Sequence, residues 1–213
     1  MNTPAPVSFV IEKQIRRTME MLEKNNMQAF YAQNAEEALE LVKTLLPKNA
    51  TVSCGGSVTL EQAGVMNLLR SGDYNFLDRQ GLTPEQIDEM YRKVFFADCY
   101  LTSCNAVTEQ GELYNVDGNA NRVAAMCFGP KSVICVVGYN KIVPNLEQAK
   151  ERLQSIAAPA NAHRLERKTP CATTGHCADC RSPERICCTT VVHQFQRVPN
   201  RIKVILVAEP LGY

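Results

Sequence analysis

Several absences narrow the field before any motif is considered. No charge of one sign dominates: 23 Lys and Arg face 22 Asp and Glu, a formal net charge of +1. That gives no electrostatic case for nucleic acid or for an anionic membrane surface. No apolar run approaches the roughly 20 residues of a membrane-spanning helix. The opening stretch, MNTPAPVSFVIEKQIRRTMEML, carries charges from Glu12 onward and lacks an uninterrupted signal-peptide core, so the expected location is cytoplasmic. There is no internal repeat, no low-complexity stretch and no flavin or nicotinamide fingerprint. The glycine turn SCGGSVTL is followed by no Gly-Lys-Ser/Thr and does not read GxGxxG, so it is neither a P-loop nor a dinucleotide turn.

Cysteine, by contrast, is plentiful: ten in 213 residues. A reducing cytosol disfavours structural disulfides, so clustered thiols there point to metal or redox chemistry. Cys54, Cys99, Cys104, Cys127 and Cys135 are dispersed. Cys127 in AMCFG and Cys135 in VICVVG have apolar neighbours and read as small buried hydrophobes. The other five crowd into TPCATTGHCADCRSPERICC, spaced Cys171-x5-Cys177-x2-Cys180-x6-Cys187, with Cys188 adjacent. Structural zinc sites most often pair two short knuckles. One knuckle with two outlying cysteines leans toward an iron–sulfur cluster, with zinc as the alternative and unligated thiols as the third reading. His176 and His193 are substitute ligands.

Apolar spacing predicts an amphipathic helix from Val7 to about Asn26. A strand follows at 27–32. A helix capped by Asn34, with Glu37 as capping-box partner, runs to about Leu46. The stretch 50–56 reads as a strand entering the glycine turn, followed by a helical run after Ser57. YNFLD suggests a short strand. Thr83, Pro84 and Gln86 open a helix to about Phe96. A strand at 98–103 leads into a hairpin around Gln110 and Gly111. A short helix, ANRVAAMCF, precedes SVICVVG (132–138), a β-branched run of the kind buried on both faces of a sheet. The stretch 145–156 is helical, 157–170 reads as helix-poor, and 201–209 is a final strand. Alternating strands and helices argue for an α/β fold with a largely parallel sheet. The domain is expected from 1–160 and 201–213, with 161–200 as a Cys-rich metal- or cluster-binding insertion.

Polar residues gather where the strands end. In open α/β sheets that is where ligands bind. Gly55, Gly56, Ser57 and Thr59 form one expected wall, and Asn105, Asp117, Asn121, Arg122, Asn140 and Lys141 supply polar groups around it. Glycines before a helix N-terminus favour an anion, Arg122 offers a planar fork, and Lys141 adds a second charge. Asp117 is the candidate general acid or base, or else a brace for Arg122. The bland alternative is tight turns and helix caps.

Taken together, SCGGSVTL, ADCYLTSCNAVTEQGELYNVDGNANRV, GPKSVICVVGYNKIV and PCATTGHCADCRSPERIC resemble the LUD domain, a domain of lactate-utilisation proteins. The resemblance covers nearly the whole chain. It implies a three-layer α/β/α fold similar to ribose-5-phosphate isomerase, glucosamine-6-phosphate deaminase and CoA transferases. It also implies a role in oxidising L-lactate to pyruvate, where partner subunits carry iron–sulfur clusters. On that reading Cys171, Cys177, Cys180 and Cys187 ligate a 4Fe–4S cluster. The family's pattern has one cysteine where this chain has two, so Cys188 is taken as the spare. The ligand expected is a small anionic metabolite. The partners expected are redox subunits, and homo-oligomer formation stays open. Whether the chain is itself catalytic is not decided by its motifs.

Overall fold

The computed structural model describes residues 4–213; residues 1–3, the start of the expected 1–160 unit, lie outside that range. Helix α1 (Ala5–Lys24) buries Ile11, Ile15 and Leu22 along one face. Strand β1 (Gln28–Ala32) follows. Asn34 caps α2 (Ala35–Leu45), its Oδ1 accepting from the Glu37 N–H at 2.9 Å. The Glu37 carboxylate reaches back to the Gln33 N–H, one residue beyond the usual capping-box donor. Strand β2 (Thr51–Cys54) runs into Gly55 and Gly56. The helical run expected after Ser57 is two short helices, α3 (Val58–Gln62) and α4 (Val65–Leu69). They part at Gly64, whose φ of 71° favours a residue without a Cβ. Strand β3 is Asn75–Phe76, and the full Thr83–Gln86 capping box opens α5 (Pro84–Lys93).

Strand β4 (Cys99–Thr102) leads to the hairpin of β5 (Ala106–Thr108) and β6 (Leu113–Asp117). At the hairpin tip a Cβ on Gly111 would lie 2.5 Å from the Met21 carbonyl carbon, so α1 packs directly on the turn. Helix α6 (Asn121–Phe128) and strand β7 (Ser132–Gly138) follow, then β8 (Ile142–Val143) and α7 (Leu146–Arg152). The chain continues through α8 (Ala158–Arg164), α9 (Pro170–Thr174), β9 (Thr189–His193) and β10 (Ile202–Val207).

Six strands form an all-parallel sheet in the order β1-β10-β7-β4-β2-β3. Residues 133–137 of β7 are fully buried. Their period of two separates the faces. Val133, Cys135 and Val137 pack with Ile11, Ile15 and Leu22 of α1, whereas Ile134 and Val136 pack with Ala38 and Val42 of α2. The architecture is therefore a largely parallel central sheet flanked by helices on both faces. A second, smaller sheet has the order β8-β5-β6-β9. Its outer core joins Ala106 and Val116 to Ala149, Leu153 and Ala157. Among the described residues no helix is long and apolar enough to cross a membrane.

Three sequence expectations change. The stretch after Ile156 is not helix-poor: α7 passes through a π-helical turn, Leu153–Ala157, straight into α8. Pro159, which has no N–H to donate, sits in the first turn of α8 directly after that π-helical turn. The 161–200 stretch is tied into the domain by α8 at its start and by β9, which pairs antiparallel with β6 from Leu113↔His193 to Asp117↔Thr189. Cys127, expected to be buried, is exposed on α6 beside the buried Met126; Cys135 is buried.

Candidate functional site

Turns at the carboxyl ends of β2, β4, β6 and β7 converge on one cleft of about 670 Å³. Gly55, Gly56, Ser57, Thr59, Asn105, Asp117, Asn121, Arg122 and Lys141 all line it. Asn140 does not. Its Oδ1 accepts from the Leu211 N–H at 3.1 Å and its Nδ2 donates to the Gly212 carbonyl at 3.1 Å. Asn140 thus pins the stretch after β10 beside the cleft.

The glycine turn is largely engaged by the protein itself. The Gly55 N–H donates to the Leu101 carbonyl at 3.0 Å, and Ser57 Oγ caps α3 by accepting from the Leu60 N–H at 3.3 Å. Its helix has only five residues. Arginines approach both glycines closely: a Cβ on Gly55 would sit 3.0 Å from Arg122 Cδ, and one on Gly56 3.2 Å from Arg79 Nη2.

Arg122 is not a free fork. Its Nε donates to Asp117 Oδ1 at 2.8 Å. Its Nη1 donates to the Ser103 carbonyl at 3.1 Å and to Asn115 Oδ1 at 2.5 Å. Its Nη2 donates to Asn105 Oδ1 and the Val116 carbonyl, each at 3.1 Å. A guanidinium has five N–H donors, and these acceptors engage all of them. Asp117 Oδ2 in turn accepts from the Val123 N–H at 2.9 Å. Of the roles the sequence offered Asp117, the geometry matches the brace.

Lys141 is different. It is 3% exposed, and its Nζ donates to Thr59 Oγ1 at 2.7 Å and Ser103 Oγ at 3.1 Å. Burial, with repulsion from Arg152 and Arg122 against a smaller pull from Cys104, pushes its pKa down to about 7. It is thus not the fixed second charge expected from the sequence. Arg152 is itself held by the carbonyls of Asn140, at 3.0 Å, and Asn105, at 2.7 Å.

Sequence reasoning missed the rest of the rim. Arg79, Arg164 and Arg167 line the cleft with Tyr91 and Tyr213. Arg79 Nη1 donates to the Tyr91 hydroxyl at 3.4 Å, and Arg164 Nε to the Tyr213 hydroxyl at 2.7 Å. Among the described residues the Arg167 side chain makes no hydrogen bond or ion pair, and none of the three arginines is paired with a carboxylate. No local motif marks them: Arg164 ends α8 and Arg167 follows three residues later, and they meet Arg79 only in the fold.

The tail thiols form a second locus. Cys171, Cys177, Cys180 and Cys187 line one cavity of about 30 Å³. Cys188 is exposed outside it, its thiol donating to the Arg185 carbonyl at 3.3 Å. Burial pushes the Cys187 thiol up to about 11; Arg185 opposes the shift, and the other three cavity thiols add to it. Neither His176 nor His193 faces the cavity; His193 Nε2 lies 3.7 Å from Cys127 Sγ. Among the described residues no three His, Cys, Asp or Glu side chains are drawn together closely enough to hold a metal ion. The donor set, four cysteines lining one small space, is the type that a tetrathiolate centre would use. Arg185 holds the loop, donating to the carbonyls of Cys180 and Cys187 (2.8 Å to the latter) and to Asp179 at 3.3 Å. Arg185 and Ile186 line both this cavity and the large cleft, so the two loci share a wall.

The LUD domain model matches residues 15–207. A solved structure of similar fold is a DUF162 family protein from Deinococcus radiodurans, 17% identical. The match covers 93% of this chain and 98% of that one, with a TM-score of 0.51. At that identity the likeness bears on the fold alone. No curated protein matches the chain.

Proposed function

This chain belongs to the LUD domain family, and from that membership we propose that it binds a small organic-acid anion beside a thiolate-held iron–sulfur centre. Its role would be electron transfer in oxidation of the L-lactate to pyruvate type, with redox subunits as partners. The observation that carries the reading is the shared wall: Arg185 and Ile186 separate the cationic cleft from the four-thiol cavity.

The residues divide the work. Arg79, Arg164 and Arg167 on the rim supply positive charge that no ion pair among the described residues cancels, and Lys141 on the floor adds its charge when it is protonated. Arg122, Asp117 and Asn105 hold the floor in shape. Cys171, Cys177, Cys180 and Cys187 would hold the 4Fe–4S cluster, which when bound supplies a one-electron acceptor. Arg185 fixes the loop and places a positive charge beside thiolates that would otherwise repel one another.

A second reading has its own support. A cavity of about 30 Å³ suits a single ion better than a four-iron cluster. On that reading the thiols hold structural zinc, and the chain is a metabolite-binding protein or an enzyme of another kind. Anaerobic purification separates the two. Brown protein with matching iron and sulfide supports the first reading, and colourless protein with zinc supports the second. Protein holding neither overturns both for the thiol cavity.

A further inference from the structure

Lys141 is a buried amine with no counter-charge. Its two hydrogen-bond partners are neutral hydroxyls, on Thr59 and Ser103. No carboxylate reaches it among the described residues. The charged or titratable groups that face it are Arg152 of α7, Arg122 of α6 and Cys104 of the turn after β4. Of the two acids lining this cleft, Asp117 is held by Arg122 and by the Val123 N–H, and Glu184 accepts from the Lys168 N–H at 2.9 Å. An ammonium here would be both desolvated and flanked by two guanidiniums. Such a group avoids much of that cost by giving up its proton, and regains the proton when an opposite charge arrives.

We propose that Lys141 is the acid receptor of the cleft, and that a carboxylate is taken up together with one proton, which ends on Lys141 Nζ. This rests on the reading of the cleft as an organic-acid site and identifies the group that receives the acid. The step balances simply: the neutral amine, a solvent proton and the carboxylate give an ammonium–carboxylate pair. One N–H bond forms and no electrons move. The direction with pH follows. The free amine titrates near pH 7. Below that pH the ammonium already exists and binding takes up no proton. Above it, each ligand brings a proton, and affinity falls by about tenfold per pH unit until the raised pKa of the complex is passed. A site built only from arginines would show neither effect, since guanidinium does not deprotonate.

The test is calorimetry on the full chain with L-lactate and with pyruvate, in buffers of different ionisation enthalpy, on both sides of neutrality. The expected result is uptake of about one proton per ligand near pH 8.5 and close to none near pH 6. Lys141→Met is expected to weaken binding at least tenfold and to remove the uptake. Binding by the unmodified chain that is independent of buffer above neutrality overturns the proposal while leaving the organic-acid reading standing. So does unchanged proton uptake in Lys141→Met. Failure of both acids to bind at any pH overturns the organic-acid reading as well.

Discussion

Arg122 Nε donates to Asp117 Oδ1 at 2.8 Å, and the other oxygen of that carboxylate accepts from the Val123 N–H at 2.9 Å. The pair therefore fastens the end of β6 to the first turn of α6. Both side chains are largely buried, at 14% and 9% exposure. Removing one partner leaves the other as an uncompensated buried charge. Arg122→Ala is expected to lower unfolding free energy by about 3–5 kcal/mol in urea titration. Arg122→Lys is expected to recover less than half, because an ammonium cannot reach five acceptors spread around a planar fork. Loss of ligand binding with stability unchanged would instead make Arg122 a ligand residue.

Cys187 and Cys188 are neighbours in sequence with different surroundings. Cys187 faces the other three thiols, whereas Cys188 faces solvent and the Arg185 carbonyl. Cys187→Ser is expected to reduce bound iron or zinc in elemental analysis. Cys188→Ser is expected to leave it unchanged.

Asn140 is expected to act on stability and local order rather than on ligand contact. Asn140→Ala removes both hydrogen bonds to the Leu211–Gly212 stretch. A cost of about 1–2 kcal/mol follows. Amide hydrogen exchange should show loss of protection at Leu211 first.

Lys141 carries a stability signature that needs no ligand. Its folded pKa of about 7 lies below the ordinary 10.5. Between those values the unfolded chain binds the extra proton, so stability rises with pH across that window. The slope from this group approaches about 1.4 kcal/mol per pH unit. Lys141→Met should be more stable than the parent near pH 7, with the advantage shrinking as pH approaches 10. Denaturant midpoints of both proteins at several pH values check this.

Features set by adjacent residues were readable in the sequence. The Thr83–Gln86 box needs only local geometry, and the buried run of β7 needs only composition. Two glycines and seven polar residues near strand ends marked nine lining positions of the cleft for the same reason: each lies in or beside a recognisable turn. What eluded the sequence depends on which turns meet. The Ser103 carbonyl and Asn105 cannot be seen as partners of Arg122 until the β4 turn is placed beside β6. Arg79 and Arg167 belong to turns far apart in sequence, and no spacing rule links them. The helix at Ala158–Arg164 was missed because Pro159 reads as a breaker, whereas a π-helical turn before it absorbs the change of register.

The position of β10 between β1 and β7 sets the order in which the protein can be completed. Among the described residues β1 pairs with β10 alone, Gln28 opposite Lys203. During synthesis β1 and the β7 side of the sheet are both made well before the strand that joins them. Until residues 202–207 emerge, each presents an open row of backbone N–H and C=O groups. Such distant pairing slows folding, and unjoined edges are the surfaces through which nascent chains associate with one another. A chain clipped ahead of Ile202 would therefore keep both of those rows unpaired.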